Sequence, residues 1–242
     1  MHTRLKPIAA LLIITGLAVA FGGGPEPEPE FTDDFDLENC QILLPNGANP
    51  YFSLTPGHFL RFEGFEDDEF IELEITVLGQ IRPFFLIEDG NFLIAIARVI
   101  EEREWVDGEL VEVSRNYFAR CPNTNDIFYF GEEVDIYEDD EIISHDGAWL
   151  AGVDDARPGL IMPGRYLLGS RYFQEVAPDV ALDRAEHVEM GLEFETPAGV
   201  FEDCVLIVET TPLDPDEESV KIYAPGIGLI ADEDVLLVEY DN

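Results

Sequence analysis

Apolar residues recur at every second position over long parts of this chain, and this alternation limits the fold more than any other feature. Every second residue from Ile71 to Val77 is apolar, and the same holds from Val188 to Phe194, with mostly glutamate between them. Because successive side chains of a strand point to opposite faces, each segment would have one apolar and one acidic face. The pattern predicts antiparallel sheet with one face in the core and one in solvent.

Short turn signals separate the alternating segments, and they locate further strands. The clearest predicted hairpin runs from Trp105 to Val111 around Asp107-Gly108, because both turn residues tolerate a positive φ. Residues 126–137 are expected to form two short strands around Gly131. Other strands are expected at residues 58–64, 81–88, 91–101, 170–177, 199–210, 219–224 and 234–240.

Helical periodicity is almost absent. Residues 178–186 could form one short helix with Pro178 near its start. The sequence therefore predicts an all-β fold: an antiparallel barrel or sandwich of more than ten strands, with at most one short helix.

The N-terminal segment is expected to lie outside the fold. Residues 1–20 have a basic start, an apolar stretch and an Ala-x-Ala pattern, which are typical of a secretory signal peptide. An uncleaved anchor is the alternative. Residues 21–36 are rich in Gly, Pro and Glu and are predicted to be an extended spacer, or else a disordered tail. Residues 37–242 would then form a single β-rich domain, exported to the periplasm, the cell surface or the medium.

The charge balance excludes several classes of partner. The chain has 52 acidic and 13 basic side chains and a formal net charge of −39, which would repel nucleic acid and anionic membrane surfaces. Acidic clusters at predicted turns could bind Ca²⁺, although none matches a calcium-loop template. The main interpretation of these acidic clusters is a solvated surface, and adaptation to a saline habitat is an alternative. Calcium is the only cofactor that the sequence suggests.

Three cysteines, Cys40, Cys121 and Cys204, suggest one disulfide and one thiol in an exported protein. Cys204 lies within the apolar run 200–208 and is expected to be a buried thiol. Cys40–Cys121 is therefore the favoured disulfide, and three reduced cysteines are the alternative.

No complete catalytic or metal-binding motif occurs in the sequence, so no catalytic or metal-ligating residue is predicted. The segment 149–159 is harder to explain as scaffold, since it combines a tryptophan, two aspartates and an arginine in a long predicted loop. Trp149, Asp154, Asp155 and Arg157 are therefore predicted to bind a ligand. An ordinary structured loop is the alternative.

The segment 49–57 (Asn-Pro-Tyr-Phe-Ser-Leu-Thr-Pro-Gly) resembles the NPYFPLxPG opening of a family of secreted, uncharacterised bacterial proteins. Segments 129–132, 149–163 and 223–229 are similar to the same family, the last to a YAPGxGL-like closing motif. The chain departs from the family in Ser53, where proline is usual, and in its greater acidity. The resemblance implies an exported β-rich fold and no particular activity.

These observations favour an exported, acidic, non-enzymatic binding or surface module. One alternative is an extracytoplasmic hydrolase that uses carboxylates, and another is a cation-dependent adhesion or matrix protein. The expected partner is a small molecule, a cation or a protein, and the sequence indicates no oligomeric state.

Overall fold

Long antiparallel strands dominate the computed structural model, which describes residues 30–40, 42–66, 68–88 and 90–241. Among these residues there are eighteen strands and one 3₁₀ helix, Leu37–Cys40. The first nine strands are β1 (Ile42–Leu43), β2 (Ala48–Asn49), β3 (Phe52–Ser53), β4 (Phe59–Glu66), β5 (Glu69–Glu88), β6 (Asn91–Val106), β7 (Glu109–Arg120), β8 (Ile127–Glu138) and β9 (Glu141–Ser144). The others are β10 (Trp149–Leu150), β11 (Arg157–Met162), β12 (Arg171–Phe173), β13 (Glu175–Val176), β14 (Arg184–Thr196), β15 (Gly199–Thr210), β16 (Glu218–Ala224), β17 (Gly228–Asp232) and β18 (Val235–Asp241).

Sixteen of these strands form one sheet, and β2 and β3 pair separately. The order of the main path is β12-β14-β15-β16-β17-β18-β4-β5-β6-β7-β8-β11-β13, with β1 added to β6 and with β9 and β10 added to β8. The end strands β12 and β13 follow each other along the chain but do not pair, so the sheet is sandwich-like and not a closed barrel. The predicted all-β class with more than ten strands is confirmed.

Local turn chemistry explains the hairpins that the sequence predicts. Asp107 and Gly108 have φ values of 51° and 84° and join β6 to β7. The alternating segment 71–77 and the predicted strand 81–88 are in fact parts of one strand, β5, because only a shift in register between Val77 and Ile81 interrupts its pairing with β6.

The prediction of two short strands around Gly131 is wrong, because β8 continues through this residue. Gly131 has a φ of 129°, and a Cβ atom there would lie 2.4 Å from the backbone oxygen of Trp149. The glycine thus allows β10 to pair closely with β8 instead of ending the strand.

The prediction of a helix at residues 178–186 is also wrong. Ala177 accepts backbone hydrogen bonds from Val180 and Ala181, which closes a tight turn. Asp179 has a φ of 63°, outside the helical region, and β14 begins at Arg184. The segment is too short for a stable helix, and the pairing of β14 with β15 takes its place.

Residues 31–36, which lie in the predicted spacer, pack against the β-rich domain. Phe31–Asn242 form one compact unit. Phe31 packs edge-on against Phe173, Phe35 packs edge-on against Phe128, and Thr32 forms a bridge with β12. Residues 31–36 of the predicted spacer therefore belong to the domain, because their two aromatic rings add to its apolar packing. The predicted signal peptide (1–20) and spacer residues 21–29 lie outside the described residues.

The cysteines take the arrangement that the sequence favours. A disulfide joins Cys40 to Cys121, with their Cα atoms 5.1 Å apart, and Cys204 is a buried thiol. The bond fastens the 3₁₀ helix to the turn between β7 and β8. No helix among the described residues is long and apolar enough to span a membrane.

Candidate functional site

Side chains from most strands of the main sheet line an interior cavity of about 300 Å³. One part of the wall is apolar and includes Phe52, Leu60, Leu73, Ile75, Val77, Ile100 and Phe118. The other part contains seven carboxylic side chains and one ammonium group: Glu102, Glu112, Glu132, Glu175, Asp183, Glu209, Asp232 and Lys221. The cavity is large enough for a small organic molecule, and its wall combines an apolar surface with strong negative charge.

Strand register brings the acidic side chains inward. Leu73 and Ile75 of β5 face the cavity, and they lie opposite Glu104 and Glu102 of β6. Residues directly opposite on paired strands share a face of the sheet, so these two glutamates also point inward. Glu104 in turn lies opposite Glu112 of β7. The expectation that the acidic side chains of the strands meet solvent is therefore wrong for β6 and β7.

Lys221 on β16 is the only lysine among the described residues, and it lies in the cavity wall. Its Nζ atom is 2.7 Å from Oε2 of Glu209 and 3.5 Å from Oδ2 of Asp232. Gln174 donates a hydrogen bond of 2.6 Å to the other oxygen of Glu209. Burial alone would lower the pKa of Lys221, but the two carboxylates outweigh it and raise this pKa well above its ordinary value. The ammonium group is therefore charged, and the carboxylates of Glu209 and Asp232 balance its charge.

Two glutamates of the wall titrate near neutral pH. Burial raises the pKa of Glu102 to about 7, and Lys221 opposes the rise while Asp232 adds to it. Burial also raises the pKa of Glu132 to about 7, against the effect of the neighbouring Tyr129 hydroxyl. A positive charge brought into the cavity would favour the ionised form of both carboxyl groups.

Near β13, the polar groups of the cavity wall form hydrogen bonds with other groups of the protein. Glu175 is 3% exposed, and its carboxyl group accepts a hydrogen bond of 2.7 Å from the backbone N–H of Asp183. Burial raises the pKa of Glu175 well above its ordinary value, which favours the neutral form of this carboxyl group. Tyr129 donates a hydrogen bond to Asn116, which donates one to Ser114. These groups line the cavity, and they already form hydrogen bonds with other groups of the protein.

Other polar groups of the wall have no protein partner. Tyr223 is 7% exposed and lines the cavity beside Glu209 and Lys221, yet its hydroxyl makes no hydrogen bond within the described part of the chain. In the same part of the chain, the carboxyl groups of Glu102 and Glu112 make neither a hydrogen bond nor an ion pair. Glu102 and Glu112 are half-buried, so their carboxyl groups can exchange water for a bound molecule, and the Tyr223 hydroxyl lines the same space.

An outer recess of about 570 Å³ adjoins the cavity and shares Leu73 and Asp232 with it. Its lining adds four carboxylic side chains: Glu66, Glu104, Glu233 and Asp234. Burial raises the pKa of Glu104, and the neighbouring charge of Glu112 adds to the rise. A cation that approaches the cavity from this side would be attracted throughout its path.

The structure separates the four residues that the sequence predicts to bind a ligand. Trp149 and Asp154 line a pocket of about 220 Å³ outside the cavity, and this pocket shares Glu132 with the cavity. Asp155 does not line this pocket and is exposed at the turn that links β10 to β11. Arg157 also lies apart from the pocket and forms an ion pair of 2.6 Å with Asp33.

Trp149 itself is buried and packs edge-on against Tyr129, with ring centroids 5.1 Å apart. Its indole N–H is buried without a hydrogen-bond partner among the described residues. The predicted long loop is short, since only residues 151–156 separate β10 from β11. The ligand-binding role of the four residues stays a prediction.

The segments that resemble the secreted family meet in pairs. Asn49 is buried and donates hydrogen bonds to the backbone oxygens of Asn125 and Pro163, at 3.0 and 3.1 Å. The backbone oxygen of Pro50 accepts a hydrogen bond of 2.7 Å from Gly226, which joins segment 49–57 to segment 223–229. Segments 129–132 and 149–163 meet through the pairing of β8 with β10 and β11.

Most of the cavity carboxyl groups lie within strands, whereas the acidic clusters that the sequence suggests as binding sites lie at predicted turns. A usable signal is present: Glu101-Glu102 and Glu132-Glu133 are adjacent pairs within strands. Since neighbouring side chains point to opposite faces, one member of each pair must point inward. Lys221 is a second signal, as a lone lysine within an apolar strand.

Among the described residues, no group of three or more His, Cys, Asp or Glu side chains has an arrangement that could hold a metal ion. No protein-family model matches the chain, and neither the curated proteins nor the solved structures give a match.

Proposed function

We propose that this protein is an exported binding protein that holds a small organic cation, such as a primary amine, in its interior cavity. The observation that carries the proposal is the excess of acidic groups in the cavity wall, which contains seven carboxylic side chains and a single ammonium group. Glu209 and Asp232 already compensate Lys221. Glu102 and Glu112 remain available for a second positive charge, and the apolar wall is suited to a hydrocarbon chain.

Export is part of the proposal. It is supported by the N-terminal pattern of residues 1–20 and by the disulfide between Cys40 and Cys121, which is typical of oxidising compartments. N-terminal sequencing of protein recovered from outside the cytoplasm tests it. A first residue near Phe21 is expected, and a first residue of Met1 would contradict cleavage.

Calorimetric titration with n-butylamine at pH 8 tests the binding proposal. Binding of the amine and no binding of n-butanol are expected, because only the amine carries a charge. Substitution of either Glu102 or Glu112 by Gln should weaken binding about tenfold, which is the effect of losing one hydrogen bond to a charged group. The matched control is Glu193→Gln, because Glu193 is exposed on β14 and lines none of the three pockets.

The pH dependence provides a second test on the same protein. Because the pKa values of Glu102 and Glu132 are about 7, part of each carboxyl population is protonated at pH 7. Amine binding should release protons, so the measured heat should change with the ionisation enthalpy of the buffer. Affinity should also fall between pH 8 and pH 6. Equal binding of n-butylamine and n-butanol, or binding unaffected by pH, would refute the proposal.

A carboxylate-dependent hydrolase is the second candidate. The observation in its favour is that Glu102 and Glu132 share one cavity and titrate near pH 7, as general acids and bases in enzymes do. Incubation with a panel of nitrophenyl glycosides tests it. Turnover that disappears in both the Glu102→Gln and the Glu132→Gln variants would favour the enzyme over the binding protein. No turnover by the unmodified protein is the result expected from a binding protein.

A further inference from the structure

The cavity and the outer recess adjoin each other and are both lined by carboxyl groups, and this arrangement limits the shape of the ligand. The two spaces share Leu73 and Asp232 as lining residues. Glu102 lies on the inner side of this boundary, and Glu104 lies on the outer side. Carboxyl groups therefore continue from the interior to the mouth, where Glu233 adds another. A compact monocation would use only one end of this arrangement.

The spacing of the carboxyl groups follows from the strand. Glu102 and Glu104 share one face of β6 and are two residues apart, so their Cα atoms are separated by roughly 6.8 Å. Glu112 lies directly opposite Glu104 on β7 and strengthens the negative charge at the boundary. Two ammonium groups joined by a short alkyl chain have a comparable separation.

Lys221 shows how this wall binds an alkylammonium group. Its ammonium lies between two carboxylates at 2.7 and 3.5 Å, at the end of a four-carbon side chain. The unpartnered hydroxyl of Tyr223, which is 7% exposed, is close to the same charges. Leu73 and Ile75 provide an apolar surface beside Glu104 and Glu102, against which methylene groups can pack.

We propose that the ligand is a linear aliphatic diamine or polyamine, with one ammonium group beside Glu102 in the cavity and the next beside Glu104 at its mouth. This inference rests on the proposed function and deepens it, because it assigns a second charge and a direction to the bound cation. The apolar wall holds the intervening methylene groups, and the outer recess accommodates the rest of a longer polyamine.

Calorimetric titration of the full exported chain with putrescine, spermidine and n-butylamine at pH 8 tests the inference. Putrescine and n-butylamine have the same carbon chain and differ by one ammonium group, so the comparison needs no protein variant. Putrescine is expected to bind at least about tenfold more tightly, since its second ammonium pairs with a partly buried carboxylate. Spermidine is expected to bind at least as tightly as putrescine.

The Glu104→Gln variant locates the second charge. It should lose most of the preference for putrescine over n-butylamine, whereas Glu193→Gln should retain that preference. If n-butylamine binds and putrescine binds no more tightly, the diamine inference is wrong and the proposed function stands. If neither amine binds, the proposed function itself fails. Tighter binding of Ca²⁺ than of putrescine at the same site, shown by competition, would also overturn the diamine assignment.

Discussion

Replacing Glu102 by Gln should stabilise the unliganded protein at pH 8 and leave its stability almost unchanged at pH 4. Burial raises the pKa of Glu102 from its ordinary 4.5 to about 7. The folded protein therefore binds this proton more tightly than the unfolded chain does. The contribution of Glu102 to the free energy of unfolding is therefore largest below pH 4.5. This contribution falls as the pH rises from 4.5 to about 7.

The size of the effect follows from the same shift. A rise in pKa from 4.5 to about 7 corresponds to about 3 kcal/mol of lost stability once both states are ionised. Glutamine has nearly the same shape and no charge, so Glu102→Gln should recover up to about 3 kcal/mol at pH 8. At pH 4 the folded protein already holds the neutral carboxyl group, and the substitution changes little.

Urea unfolding of both proteins at pH 4 and pH 8, followed by tryptophan fluorescence, measures the difference. At pH 8 the midpoint of Glu102→Gln should lie about 1 M above that of the unmodified protein, given the usual slopes for chains of this size. Glu193→Gln is the control, because it makes the same substitution at an exposed position outside the cavity. An unchanged midpoint for Glu102→Gln at pH 8, or equal stabilisation at both pH values, would show that Glu102 is not a destabilising buried charge.

Three further predictions concern the scaffold. Replacing Cys40 and Cys121 together by Ala should cost about 4.5 kcal/mol in urea unfolding, since the disulfide closes a sequence separation of 81 residues; an unchanged midpoint contradicts this. Gly131→Ala should cost about 2–3 kcal/mol in the same assay, because its Cβ atom would meet the Trp149 backbone, whereas Gly90→Ala has open space and serves as a comparison. The melting temperature should rise with NaCl, because salt screens a net charge of −39; a constant melting temperature counts against self-repulsion.

The parts of the fold that local chemistry determines could be predicted from the sequence. The Asp107-Gly108 hairpin needs only two residues that tolerate positive φ, and the β14 strand follows from its own alternation. The burial of Cys204 follows from the apolar run around it. Strand β11 was not predicted, because it is short and depends on a partner distant in sequence, β8. Strand β17 was not predicted either, although its partners β16 and β18 are its neighbours in the chain.

The candidate site could not be predicted in the same way, because strands from distant parts of the chain bring its residues together. Glu102 faces the cavity because β6 pairs with β5 so that it lies opposite Ile75. Lys221 meets Asp232 because β16 and β17 pair directly, and it meets Glu209 from the neighbouring β15. Each of these pairings joins consecutive strands, but the cavity that Glu102 and Lys221 share becomes apparent only in the assembled sheet.

The carboxyl groups that face the cavity differ from those on the opposite face of the same strands in their arginine partners. On the opposite face of the same strands, Glu101 pairs with Arg103 and Arg115. Glu133 likewise pairs with Arg82 at 2.7 Å. Their sequence neighbours, which point into the cavity, have no arginine partner among the described residues.

An arginine on the inner face, or glutamine in place of these glutamates, would remove the cost of bringing carboxyl groups out of water. Folding alone therefore gives no reason for Glu102 and Glu132 to be carboxylic acids. A ligand that carries its own positive charge does give one, because it supplies the missing partner when it binds. On this reasoning, a saturating amine should raise the unfolding midpoint of the unmodified protein at pH 8 more than that of Glu102→Gln. Equal shifts in the two proteins would mean that the amine binds elsewhere.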